Sequence, residues 1–229
     1  MLAQLSDPHL HDDDSAAALA AAVRSVLALS PLPDAVLLSG DLAEHGTAAE
    51  YERIRELLAP LPMPVHAIPG NHDDLDALRA HLGGAATAGV GDLRLIACDT
   101  TQPGRDDGRL DVEWLAARLA ESDAPTIVAM HHPPIPIGIP ALDRIGLPEA
   151  DREALAGLLA RAPHVCRVVA GHVHRTVFGV LGGCGVVACP STHRQARLEL
   201  GAEEFSMVDE PPAFAVHTAS VAHIQPIAR

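Results

Sequence analysis

The chain carries fourteen histidines but only five phenylalanine, tyrosine and tryptophan residues. Imidazole is the commonest transition-metal ligand and the main acid–base group near neutral pH. Five short segments hold histidine, aspartate or asparagine: Asp7-Pro8-His9, Gly40-Asp41, Gly70-Asn71-His72-Asp73, His131-His132 and Gly171-His172-Val173-His174. Imidazoles, carboxylates and one amide oxygen, with no thiolate, suit borderline divalent metals such as Mn, Fe, Zn or Co. So many imidazoles disfavour an all-oxygen calcium or magnesium site. The cysteines, Cys98, Cys166, Cys184 and Cys189, show no CxxC spacing and read as buried free thiols rather than a structural zinc site. The donors suffice for two ions, and two ions about 3.5–4 Å apart clamp a phosphoryl group for in-line displacement.

These residues need a scaffold that gathers them. Each segment follows a short apolar, β-prone run: Met1–Ser6, Ala35–Ser39, Val65–Ile68, Thr126–Met130 and Val165–Ala170. In α/β sheets, ligands sit outside the carboxyl ends of the strands. Five such endings on one edge would converge, and glycine beside three of them lets the backbone turn tightly and approach a bound group. Helical patterns fall between the runs, at Ser15–Leu29, Thr47–Leu58 with Thr47 as N-cap, Asp74–His81 closed by Gly83-Gly84, Val112–Ala120 and Arg152–Arg161. Leu93–Cys98 is a further expected strand. From about residue 175 the helices stop. Arg175–Val180, Gly185–Cys189, Ala196–Leu200, Ala213–His217 and Val221–Ile224 read as strands between Gly and Pro turns. Repeated βα units with a β-rich end predict an α/β fold of two packed sheets flanked by helices, one domain over residues 1–229. The Asp12-Asp13-Asp14 run reads as a solvated loop before the first helix. The longest loop, His132–Leu147, is long enough to serve the site.

Composition narrows the function. The formal charge is −14, and all sixteen basic residues are arginine. An acidic chain without a basic stripe is a poor binder of nucleic-acid polymers and is repelled by anionic membranes. No apolar run reaches the length of a membrane span, and no basic n-region opens the chain, so a cytoplasmic protein is expected. An anionic substrate would be attracted by a bound metal rather than by surface charge.

In order and spacing, Asp7-X-His9, Gly40-Asp41-X4-Gly46, Gly70-Asn71-His72-Asp73, His131 and Gly171-His172-X-His174 resemble the five motifs of the calcineurin-like metallophosphoesterase superfamily. The resemblance runs from residue 1 to about 195. Met130-His131-His132-Pro133-Pro134-Ile135-Pro136, followed by Leu142-Asp143-Arg144-Ile145-Gly146, is similar to the bacterial class III cyclic-nucleotide phosphodiesterases and the related glycerophosphodiesterases.

The resemblance implies a four-layer α/β/β/α sandwich of two mixed sheets and two divalent ions (Mn, Fe or Zn). Asp7, His9 and His174 would hold one ion and Asn71, His131 and His172 the other, with Asp41 bridging both. His72 would face the phosphate and donate a hydrogen bond or proton to the leaving oxygen, which makes His72 and Asp41 the expected catalytic residues. His131 rather than His132 would be the ligand, and Asp73 would orient a neighbouring ligand. Asn71, His72, His174 and His193 are the expected substrate contacts, with Arg194 able to meet a phosphate oxygen; His45, inside the Gly40–Gly46 motif, reads as a solvated loop residue before a rim residue near substrate. The remaining histidines, His11 among them, read as structural or surface residues. The implied reaction is hydrolysis of 3′,5′-cyclic AMP to AMP by a metal-held hydroxide. Glycerophosphodiesters, 2′,3′-cyclic nucleotides and phosphomonoesters are the alternative substrates, and a dead scaffold of the same fold is the non-enzyme alternative. The expected partner is a small phosphodiester, with a homodimer possible through the β-rich end.

Overall fold

The computed structural model describes residues 1–84 and 86–228. The first elements are β1 (Leu2–Leu5), α1 (Asp13–Leu27), β2 (Ala35–Ser39), α2 (Ala48–Leu58), β3 (Val65–Ile68), α3 (Leu75–Leu82), β4 (Thr87–Val90) and β5 (Leu93–Ala97). They are followed by α4 (Val112–Leu119), β6 (Thr126–Ala129), α5 (Pro140–Asp143), α6 (Glu149–Leu159) and β7 (Val165–Ala170). The β-rich end comprises β8 (Val177–Leu181), β9 (Cys184–Ala188), β10 (Gln195–Ala196), β11 (Met207–Val208), β12 (Ala213–His217) and β13 (Ala222–Pro226).

The helices start where their side chains cap them. Asp12 accepts from the Ser15 main-chain N–H and Ser15 reciprocates, so the acidic run is the cap and first turn of α1 rather than a loop. Asp13 and Asp14 then lie at the positive end of the helix dipole. Thr47 and Glu50 make the same reciprocal pair for α2.

Two mixed sheets form the middle of the molecule. One has the order β13-β12-β1-β2-β3, the other β4-β5-β6-β7-β9-β8. β1, β2 and β3 are parallel, as are β5, β6, β7 and β9. Successive side chains of a strand point to opposite faces, which sorts the core into layers. Ala3, Leu5, Val36 and Leu38 meet α1, α2 and α3 through Leu19, Val23, Ile54 and Leu78. Leu2, Leu37 and Ile68 pack against Leu95, Ile127 and Val169 of the second sheet. Ile96, Val128 and Val168 face Leu115, Leu119, Leu155 and Leu159 of α4 and α6. Each fully buried aliphatic side chain contributes about 1.5–3 kcal/mol of transfer free energy. This is the expected α/β/β/α sandwich.

Five elements depart from expectation, two of them short: α5 inside the expected His132–Leu147 loop and β11 where no strand was expected. Of the expected Ala196–Leu200 strand only Ala196 pairs, together with Gln195 before it, against β11, because Leu198 and Leu200 find no sheet face and stay exposed. β4 was not expected, since Thr-Ala-Gly-Val has no apolar alternation; it forms by pairing antiparallel at the β5 edge. The final helix starts at Glu149, just after Pro148, three residues early. Among the described residues, no helix is long and apolar enough to cross a membrane, and all four cysteines are free.

Candidate metal centre

The five loops leave their strands on the same edge, and the parallel arrangement puts them there. β1 delivers Asp7 and His9, β2 delivers Asp41, β3 delivers Asn71 and His72, β6 delivers His131, and β7 delivers His172 and His174. Glycine permits the approach. At Gly70 an added Cβ would lie 2.2 Å from the Asp41 main-chain nitrogen. Gly40, at φ +95°, would put one 2.2 Å from His131 Nδ1.

Side chains cluster around Asp41. Its Oδ2 is 3.5 Å from His9 Nε2 and 3.4 Å from His131 Nε2. On the His9 side, His174 Nε2 is 3.0 Å from His9 Nε2 and 3.8 Å from Asp7 Oδ1. On the other, His131 Nε2 is 3.2 Å from both Asn71 Oδ1 and His172 Nδ1. The side chains of Asp7, His9, Asp41, Asn71, His131, His172 and His174 are therefore brought together around Asp41. Asp7, His9, Asp41, His172 and His174 all have positive φ, between 44° and 70°, and among the described residues no other non-glycine does. Such conformations cost on the order of 1–3 kcal/mol each and concentrate at functional sites.

The chemistry of the donors fits divalent cations. His131 Nδ1–H donates to the Ser39 carbonyl (2.9 Å), and His174 Nδ1–H to the Arg194 carbonyl (2.8 Å). A carbonyl can only accept, so each neutral ring turns a nitrogen lone pair toward the carboxylates. His172 shows Nδ1 to the cluster while its buried Nε2 has no partner. Without metal the cluster attracts protons. Burial opposes a charge on His131, but Asp41 and Asp7 overcome it and push its pKa up to about 9. Burial likewise opposes ionisation of Asp41, yet His131, His9 and His72 hold its carboxyl well below the usual range. A metal ion satisfies the same acceptors that would otherwise draw a proton.

Neighbouring residues hold these ligands in place. Glu44, three residues after Asp41, accepts from His9 Nδ1–H at 2.6 Å. It was not among the expected residues; a carboxylate three residues beyond Asp41 in the same loop is the signal that could have found it. Asp73 touches no histidine, contrary to expectation. It accepts from the main-chain N–H groups of Gly70, Leu42 and Ala43 and from the Tyr51 hydroxyl, and so ties the Asp41 loop to the Asn71 loop. His132 lies near His131 and His172, but both its nitrogens are engaged. Nε2–H donates to the Asp106 carbonyl (3.0 Å) and Nδ1 accepts from the Thr100 hydroxyl (2.8 Å).

A cavity of about 570 Å³ opens over the centre, lined by Asp7, His9, Asp41, Asn71, His72, His172 and His174. His72 Nδ1–H donates to the Glu44 carbonyl (3.1 Å), leaving Nε2 for the cavity. His193 and Arg194 also line it, His193 with Nε2 on Asp14 at 3.1 Å. His45 does not; it is largely exposed and bonds Glu50. His11 lies at the surface, as expected; its Nδ1–H donates to the His9 carbonyl, and it is among the residues lining the cavity.

Two facing sheets with imidazoles and carboxylates converging at their carboxyl edge define a metal-binding phosphoesterase site. Comparison with known proteins agrees. The calcineurin-like phosphoesterase profile matches residues 1–176, and the chain belongs to that family. It is 38% identical to a probable cyclic nucleotide phosphodiesterase of a Synechococcus species, over 85% of this chain and 81% of that one. It is 30% identical to a probable glycerophosphodiester phosphodiesterase of Arcobacter nitrofigilis, over 95% and 88%. Among solved structures, a dimetal phosphatase from Danio rerio shares the fold with a TM-score of 0.71 at 14% identity, covering 99% of this chain and 98% of the other. The chain is thus a phosphoester hydrolase with His and Asp residues placed to bind metal.

Proposed function

We propose that this protein is a two-metal phosphodiesterase acting on small diesters, with 3′,5′-cyclic AMP as the foremost substrate. Asp7, His9 and His174 would hold one ion, Asn71, His131 and His172 the other, and Asp41 would touch both. The observation that carries this reading is the position of Asp41 Oδ2, almost equally far from His9 Nε2 and His131 Nε2. When bound, such a pair supplies Lewis-acid stabilisation of the phosphoryl oxygens and a water acidic enough to react near neutral pH.

The chain's own residues complete the site. Donation from Nδ1 to the Glu44 carbonyl fixes the His72 ring, so that Nε2 can hold a proton for the departing alkoxide. Arg194 is the one arginine among the residues lining the cavity, beside carboxylates and imidazoles, and its guanidinium would meet a phosphate oxygen of a monoanionic diester. A cavity of about 570 Å³ suits a ligand of nucleotide size. The cyclic-nucleotide relative at 38% identity supports the same choice. Glycerophosphodiesters remain the second reading, supported by the relative at 30% identity.

The test is one preparation loaded with Mn(II) and offered cyclic AMP, a glycerophosphodiester and a phosphomonoester. Cyclic AMP should give the highest kcat/KM, and Asp41→Ala should abolish turnover of all three. Asp41→Ala turning over as fast as the parent would refute the assignment.

A further inference from the structure

One wall of the cavity takes no part in metal binding. Leu142 and Ile145, from α5 and its exit, line it together with Phe205 and Met207 from β11 and the segment leading into it. Together with Ile139, Ala196 and Val173, residues Leu142, Ile145 and Met207 belong to an apolar cluster separate from the three cores between the layers. Tyr51 and Phe214 are fully buried, Phe178 lies on β8, and Trp114 lines a different cavity. Phe205 is thus the one phenyl, indole or phenol ring facing the metal centre among the described residues, and 47% of its surface is exposed. A half-exposed aromatic ring at the mouth of a cavity gains from a ligand that covers it.

The wall is fastened rather than loose. Arg144 bonds the Glu203 carboxylate (2.6 Å) and the Glu203 carbonyl. Ala141 N–H donates to Ala202 O at 3.2 Å, and Gly201 N–H to Gly138 O at 3.1 Å. Two segments some sixty residues apart are held as one surface, so a ligand has little ordering left to supply. Its facing side chains are hydrocarbon and thioether. They offer nothing to a glycerol hydroxyl but a good surface to a flat ring.

Resting on the phosphodiesterase reading, we propose that this wall seats the nucleobase, with Phe205 stacked on it, and that it sets a preference for diesters carrying a planar ring. The phosphate then lies over the metal centre and the base across the cavity.

Steady-state kinetics on the Mn(II)-loaded protein would use cyclic AMP, glycerophosphoglycerol and glycerophosphocholine. Phe205→Ala should raise KM for cyclic AMP about tenfold, in line with the loss of one base–aromatic stack, with kcat unchanged. KM for glycerophosphoglycerol should stay within about twofold, and Phe205→Trp should restore the parent value. Saturation-transfer NMR of AMP on the Zn(II)-loaded protein should show stronger transfer to adenine H2 and H8 than to the ribose, lost in Phe205→Ala. Equal KM increases for all three diesters, or an increase confined to glycerophosphocholine, would overturn the proposal. So would diester turnover with no adenine-selective effect, which leaves the phosphodiesterase reading intact. Adenine contact without turnover of any diester would instead uphold the wall and sink that reading.

Discussion

The Nε2 atoms of His9 and His174 stand 3.0 Å apart, and the other nitrogen of each ring already donates elsewhere, to Glu44 and to the Arg194 carbonyl. Two acceptor nitrogens this close need a cation beside them, a proton or a metal ion. Metal binding is therefore coupled to folding. Mn(II) or Zn(II) at a hundred times its dissociation constant should stabilise the protein by about 2.7 kcal/mol. Calorimetry after chelation and again after metal addition measures this. The shift should shrink as pH falls, because His131 takes up a proton below about 9 and the metal must displace it. A melting temperature indifferent to chelator and metal would mean that the cluster binds no ion.

Among the seven residues proposed to hold the ions, the Glu44 carboxylate bonds His9 alone, which would separate the two halves of the proposed centre. The hydrogen bond to His9 holds the Glu44 carboxyl below its ordinary range, so it is ionised at neutral pH and keeps the proton on Nδ1. Removing a partner of this kind costs about 10–100-fold in metal affinity. In a competition titration against a chromophoric chelator, Glu44→Ala should weaken one of two binding constants by that factor and leave the other in place. Glu44→Gln, which keeps an acceptor oxygen, should fall between. Both constants weakening equally would show that Glu44 acts on the fold and not on His9.

The site was more legible in the sequence than the wall beside it. Asp7, Asp41, Asn71, His131 and His172 each follow an apolar run, and a parallel sheet sends all such endings to one edge. That rule needs no knowledge of contacts. Glu44 escaped because its partner, His9 Nδ1, depends on how one turn folds at positive φ. Phe205 escaped for another reason. It sits in a stretch with no periodic pattern, and its place in the cavity depends on Arg144 reaching Glu203 across some sixty residues. The same distance dependence misled the reading of Asp73, whose acceptor role is set by main-chain groups of the β2 loop.

Close packing of the two loops makes Gly70 irreplaceable. A methyl group there would meet the Asp41 main-chain nitrogen and Oδ1 at 2.2 Å, well inside contact distance. Neither atom can move without displacing the carboxylate at the middle of the centre. Gly70→Ala should cost about 3 kcal/mol or more, as overpacking against backbone does, and should weaken metal binding. Gly185 in β9 has nothing within 4 Å of its added Cβ, so Gly185→Ala should stay within about 0.5 kcal/mol. Urea midpoints of the two variants provide the comparison; equal values would contradict the close approach.

Between the sheets, His217 gives the fold a pH dependence of its own. Its Nε2–H donates to Gln4 Oε1 (2.9 Å), and Gln4 Nε2 in turn donates to Ser39 Oγ and to the Ala170 carbonyl, each at 2.9 Å. The chain of bonds runs from β12 through β1 to the strands that carry the centre. Burial, and then the Arg167 charge, push the His217 pKa down to about 3. In the unfolded chain the imidazole titrates near 6.5. Above that value neither state is protonated and His217 has no effect on pH dependence. As pH falls from about 6.5 toward 3, the unfolded chain takes a proton that the native state refuses, and stability is lost progressively. The full loss is on the order of 5 kcal/mol, about two thirds of it reached by pH 4. His217→Gln keeps a donor for Gln4 but cannot titrate. Unfolding free energies of the metal-free proteins between pH 7 and 4.5 should therefore fall less steeply in the variant. Parallel curves would show that His217 is protonated inside the native protein, against its burial beside Arg167.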